Sequence, residues 1–127
     1  MQCEVPVSIG ELFDKLAVLR VKLKKITDPE KFKAVSHEYY LLLSIVDSLI
    51  GHDPRLKEPL AELEKVNERL WDILEDQRLK EHKKQFDETF ITLSRNVYLA
   101  NDKRFEIKNQ INELTSSKIR EQKHYSQ

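Results

Sequence analysis

Turns and staples are scarce in this chain. Its 127 residues include two glycines, four prolines and one cysteine. An all-β domain of this length would need a turn about every ten residues, and so few turn formers cannot supply them. The single cysteine, Cys3, excludes an internal disulfide and a cysteine-based zinc site. No apolar run approaches the ~20 residues of a membrane-spanning helix, and the N-terminus has no signal-peptide pattern. The expected compartment is therefore the cytoplasm, with no membrane partner. Charge of one sign is lacking too: Lys plus Arg is 22 and Asp plus Glu is 22. A protein built to neutralise phosphates carries a basic excess, so nucleic acid is not the expected partner.

Several chemistries are missing as well. There is no P-loop, no HExxH and no glycine-rich phosphate fingerprint. Ferritin-like bundles hold their metals through two Glu-x-x-His pairs. His37, His52 and His82 have no acidic residue three positions earlier, and the one such spacing, Glu121 to His124, is a single pair. No repeat or low-complexity segment is present.

What is present reads as helix. Hydrophobic residues make up 39% and charged residues 35%, a balance that suits a small water-facing helical protein. Ser8 and Glu11 are spaced as a capping box, with Val7 and Leu12 placed as a hydrophobic staple. A seam at three-four spacing follows: Ile9, Leu12, Leu16, Leu19, Leu23, Ile26. Asp28 is placed to cap a second helix and Pro29 suits its first position. That helix has the seam Phe32, Val35, Tyr39, Leu42, Val46, Leu49 and stops at Gly51. GHDPRLKEP, 51 to 59, is the longest expected loop, in which Pro54 opens a short turn and Pro59 opens the third helix. Leu63, Val66, Leu70 and Ile73 then point inward, with Trp71 and Leu74 flanking. Asp87 caps the fourth helix, with Phe86 and Ile91 as a staple and the seam Phe90, Leu93, Val97, Ala100, Ile107, Ile111, Leu114.

The expected helices are about 8–26, 29–50, 59–83 and 88–114, in one domain spanning 1–127 with a flexible N-terminus (1–6) and a polar tail (115–127). Short connections make sequential helices antiparallel neighbours, so the fold class is all-α, an antiparallel four-helix bundle. Val18 and Val21 lie off the first seam, and Leu41 and Ile45 off the second. These second apolar faces predict a homo-oligomer, a dimer, or contact with another protein.

The place between Ala100 and Ile107 in the fourth seam falls on Arg104. Asn101 and Lys108 flank it, giving helix four a polar strip inside its apolar arc. Pairing levels across an up-down-up-down bundle brings Arg20, Glu38 and Asn67 to the same height. The expected result is a mid-bundle polar layer of Arg20, Glu38, Asn67, Asn101 and Arg104. In its structural form Glu38 neutralises Arg104 and the layer fixes helix register. In its functional form the surplus positive charge receives a small anionic ligand.

Acidic pairs offer a weaker alternative. Glu11 and Asp14 on helix one, with Glu68 and Asp72 on helix three, are spaced as oxygen ligands for Mg²⁺. All-α nucleotide pyrophosphohydrolases use comparable pairs. Against this, Asp14 is placed roughly opposite its helix seam, and the spacing is common in a chain this charged. The ordinary meaning is a solvated face with intrahelical pairs.

PVSIGELFDKL at 6–16, LWDILED at 70–76 and NVYLANDKRFEIKNQINEL at 96–114 resemble the signature stretches of an uncharacterised bacterial family of small helical proteins. The resemblance covers nearly the whole chain. It implies a bacterial or bacteriophage origin and brings no catalytic residues with it. The reading is a cytoplasmic binding or assembly module without cofactor or catalysis of its own. The alternative is a small-molecule or nucleotide site at the polar layer, with Mg²⁺ in its pyrophosphohydrolase form.

Overall fold

A computed structural model describes residues 1–116 of the chain. It contains four long helices: α1 (Ile9–Lys25), α2 (Pro29–Ile50), α3 (Lys57–His82) and α4 (Glu88–Leu114). A short 3-10 turn, Pro54–Leu56, leads into α3. No strand occurs among the described residues. The bounds lie close to those expected, with one shift: α3 opens at Lys57, so Pro59 sits buried inside its first turn. The tail expected from 115 lies almost wholly outside the described residues.

The helix starts show which capping signals operate. Ser8 Oγ accepts from the Glu11 backbone N–H at 3.0 Å, and Asp87 Oδ1 accepts from that of Phe90 at 3.0 Å. Asp28 makes no side-chain cap bond, and Pro29 alone marks the start of α2. Neither staple fixes its entry: Val7 is exposed, and so are Phe86 and Ile91. Phe86 instead packs edge-on against Phe90, with ring centroids 5.4 Å apart.

Ion pairs between helices give the directions. Arg20 pairs with Glu64 and Lys24 with Glu68, so α1 and α3 run parallel. Gly10 meets Asn112, and Asp14 meets Arg104, so α4 runs antiparallel to α1. The order is up-down-up-down, a four-helix bundle as the sequence predicts. Its packing is not even, however. α1 lies against all three other helices, α3 packs against α4, and among the described helices α2 comes close to α1 alone.

This arrangement explains the off-seam valines. Gly10, Asp14, Ala17 and Val21 form a second stripe on α1, and all four are buried. Both faces of α1 are thus buried within one chain, and Val18 is partly covered. The core joins Leu12, Phe13, Leu16 and Ala17 with Leu63, Val66 and Leu70 of α3, and with Ala100, Ile107 and Ile111 of α4. From α2 only Val46 is fully buried. Tyr39, Leu42, Leu43 and Ile50 lean on the core, while Phe32 and Leu49, expected inward, are exposed. No helix among the described residues is long and apolar enough to cross a membrane.

Candidate functional site

Arg104 lies where α4 faces the second stripe of α1. Its partner is Asp14. The guanidinium Nε donates to Asp14 Oδ1 at 2.8 Å and to Oδ2 at 3.0 Å, while Nη2 donates to Oδ2. This is the two-point fork that a planar guanidinium makes with a carboxylate. Asp14 is 1% exposed. Burying a carboxylate costs several kcal/mol unless charge and hydrogen bonds answer it, and here both do. Asn67 of α3 donates from Nδ2 to Asp14 Oδ1 at 2.9 Å and to the Leu63 carbonyl at 3.0 Å. Arg104 Nη1 reaches Asn101 Oδ1 at 3.4 Å. One carboxylate on α1 thereby ties α3 to α4.

The polar contacts continue one turn further along α4. Lys108 is buried, and its Nζ stands 2.8 Å from the Glu11 carboxylate. Asn112 Oδ1 accepts from the Gly10 backbone N–H at 2.7 Å. That amide is one of the donors a helix start leaves unsatisfied, so a side chain of α4 completes the cap of α1. Gly10 permits the approach: a Cβ built there would stand 2.9 Å from Asn112 Oδ1 and closer still to the Lys108 backbone carbonyl. Among the described residues no buried side-chain nitrogen or oxygen lacks a hydrogen-bond partner.

The expected layer is therefore assembled differently. Asn67, Asn101 and Arg104 do come together, around Asp14. The carboxylate expected for Arg104 was that of Glu38, but Glu38 is exposed on α2 and lines a cleft beside the pair. Asp14, expected to point away from the seam, is the centre of the site. Lys108 belongs to the adjoining turn. Arg20 stands apart on another side of α1, where its Nε donates to the Tyr39 hydroxyl at 3.1 Å. It also sits 5.9 Å from that ring's centroid and pairs with Glu64.

Two open clefts flank Arg104. One, of about 210 Å³, is lined by Glu11, Asp14, Lys15, Lys22 and Glu38 among others. The other, of about 280 Å³, is bordered by Val18, Val21, Trp71, Leu74, Val97 and Asn101. A third, of about 320 Å³, lies between α1, the end of α2 and the start of α3, with an apolar floor that includes Phe13, Leu16, Leu43 and Leu56.

The four acidic residues singled out for magnesium each have a cation beside them. Glu11 faces Lys108 and Asp14 faces Arg104. Glu68 is shared between Lys24 and Lys25, and Asp72 pairs with Lys25. The pairs do not converge, and among the described residues no group of three or more His, Cys, Asp or Glu side chains is placed to hold a metal ion. The hydrogen bonds and charge of Glu64 and Glu68 raise the Lys24 pKa above its ordinary value, and the hydrogen bond to Asp72 does most to raise that of Lys25.

Fold and site together define a small all-α protein whose central helix is locked to an antiparallel helix pair by a buried ion pair. The chain belongs to a family of unknown function, DUF6165, whose family model matches residues 1–127. No curated protein and no solved structure matches it. Two of the stretches that carried the resemblance, 6–16 and 96–114, are the two sides of the joint: they contain Ser8, Gly10, Glu11 and Asp14 on one side, and Asn101, Arg104, Lys108 and Asn112 on the other.

Proposed function

We propose that the protein is a non-catalytic binding or assembly module whose contact surface is the outer face of α2. The observation that carries this is the placement of that helix. It rests on α1 and leaves Leu41, Ile45 and Leu49 exposed by 46%, 41% and 64%. These residues follow one another at four-residue spacing, so they form one row on the helix surface. Single exposed apolar residues are ordinary, whereas a continuous row on a helix with one neighbour among the described helices is the form of a helix-docking surface. The polar layer supports a structural role for Arg104, since its charge is answered by Asp14 within the chain.

A photoreactive amino acid placed at position 45, with one at exposed Lys65 of α3 as control, tests this in cells of the native host. The expected result is a covalent protein adduct at 45, absent at 65 and lost when Leu41→Glu is added. Absence of any adduct at 45, or equal labelling at 65, overturns the reading.

A further inference from the structure

We infer that the cleft between α1, the end of α2 and the start of α3 is a binding site for a free α-amino acid with a large apolar side chain. The site is separate from the α2 row, and neither reading depends on the other. Asp47, which borders the cleft, lies roughly 200° around the helix from Ile45. At about 320 Å³ this is the largest of the three clefts described above. It falls at the lower end of the ~300–1,000 Å³ of ligand pockets, so its occupant is small. The floor, with Phe13, Leu16, Leu43 and Leu56, is apolar. A body that displaces water from such a floor is itself apolar.

The rim sets the head of the ligand. Arg20, Asp47, Asp53 and Lys57 border it, with His52 beside them. Two of the four charges are answered within the chain: Arg20 is held by Glu64 and the Tyr39 hydroxyl, and Asp53 by Arg55. Asp47 and Lys57 have no charged partner among the described residues. Both also stand against their own helices. Asp47 is in the last turn of α2, which holds no basic residue, and Lys57 is the first residue of α3. A helix favours a cation at its C-terminal end and an anion at its N-terminal end, so each side chain has the disfavoured sign. A ligand ammonium at Asp47 and a ligand carboxylate at Lys57 reverse both mismatches. The open rim is thus one acid and one base above an apolar floor, and an α-amino acid answers all three. A simple amine leaves Lys57 unanswered, and an apolar acid leaves Asp47 unanswered. Both side chains are exposed, so each adds only the two- to five-fold, about, of a surface ion pair, and the affinity is modest.

NMR titration of the purified full chain with L-phenylalanine and with L-leucine tests this. Amide shifts at Leu43, Gly51, His52 and Lys57 should move and saturate. Phenethylamine lacks the carboxylate and hydrocinnamate lacks the ammonium; each should bind about two- to five-fold more weakly than L-phenylalanine. Glycine, without a side chain for the floor, should leave these amides unmoved. Asp47→Asn should weaken L-phenylalanine by the same factor and leave hydrocinnamate unchanged, while Lys57→Gln should weaken it and leave phenethylamine unchanged. Both positions are exposed, so neither change threatens the fold. Equal binding of the amine or the acid, or binding of L-phenylalanine that both substitutions leave unchanged, would overturn the zwitterion. No shift at these amides up to the solubility limit of either amino acid would overturn the site.

Discussion

The Asp14–Arg104 pair predicts a stability cycle in which a second substitution repairs the first. Arg104→Met removes the cation and leaves Asp14 at 1% exposure with Asn67 as its remaining hydrogen-bond donor. Stranding a buried charge costs about 3–5 kcal/mol. Asp14→Leu removes the carboxylate instead. The Arg104 side chain is 30% exposed and can turn to water, and Asn67 keeps its bond to the Leu63 carbonyl. That change should cost less, about 1–3 kcal/mol, the ordinary range for an unmade buried hydrogen bond. The double variant places two apolar side chains of similar size against each other, and such replacements of buried ion pairs are often nearly neutral. It should therefore be more stable than Arg104→Met by itself, with a coupling of about 4 kcal/mol or more, the sum of the two single losses when the double variant is neutral. Urea unfolding at neutral pH, fitted with a common slope for all four proteins, measures this. Additive losses would refute the reasoning, because they would mean that Asp14 is not left uncompensated. So would an Arg104→Met protein as stable as the parent.

Two further outcomes follow from the same geometry. Gly10→Ala should destabilise by about 1–3 kcal/mol, the cost of overpacking, although alanine is the better helix former; a melting temperature at or above that of the parent would refute the close approach of α4 to Gly10. Lys80 and the Phe90 N–H hold the Asp87 carboxyl below its ordinary 3.8. A depressed folded value means that this cap contributes stability above the unfolded pKa and loses it as pH falls through the folded one. Carboxyl NMR should place the Asp87 midpoint below 3.8, and Lys80→Met should move it upward; an unmoved midpoint would separate the two residues.

The four helices were legible because their punctuation is local: Ser8, Pro29, Gly51 and Asp87 act on their own neighbours. The polar layer was half legible. Arg104 stood out as a cation in an apolar count, and Asn67 and Asn101 were placed beside it. Its carboxylate was misassigned because the level argument gave every helix one inward seam. A helix with three neighbours has more than one. The signal was present: Val18 and Val21 lie off the first seam, and Asp14, four residues before Val18, shares their stripe. Read together they predict a buried Asp14. Asn112 was missed because its role is to cap another helix, which no local spacing announces. The staples failed for the opposite reason. Their spacing is local, but Val7, Phe86 and Ile91 stay exposed, and Phe86 packs on Phe90 rather than on Ile91.

The buried joint and the exposed row have a common origin. α1 is short, 17 residues against 26 and 27 for α3 and α4, and it lies along both of them. Its Gly10–Asp14–Ala17–Val21 stripe is small enough to approach them closely and carries the carboxylate that fixes its height. Once α1 fills that position, α2 can reach the core only through the remaining face of α1. Its row at Leu41, Ile45 and Leu49 then meets no other helix among the described residues. Replacing these three residues by polar ones would cost the fold little, since each is already more than two-fifths exposed. The fold does not require them to be apolar. The row is therefore free to serve the contact surface proposed above.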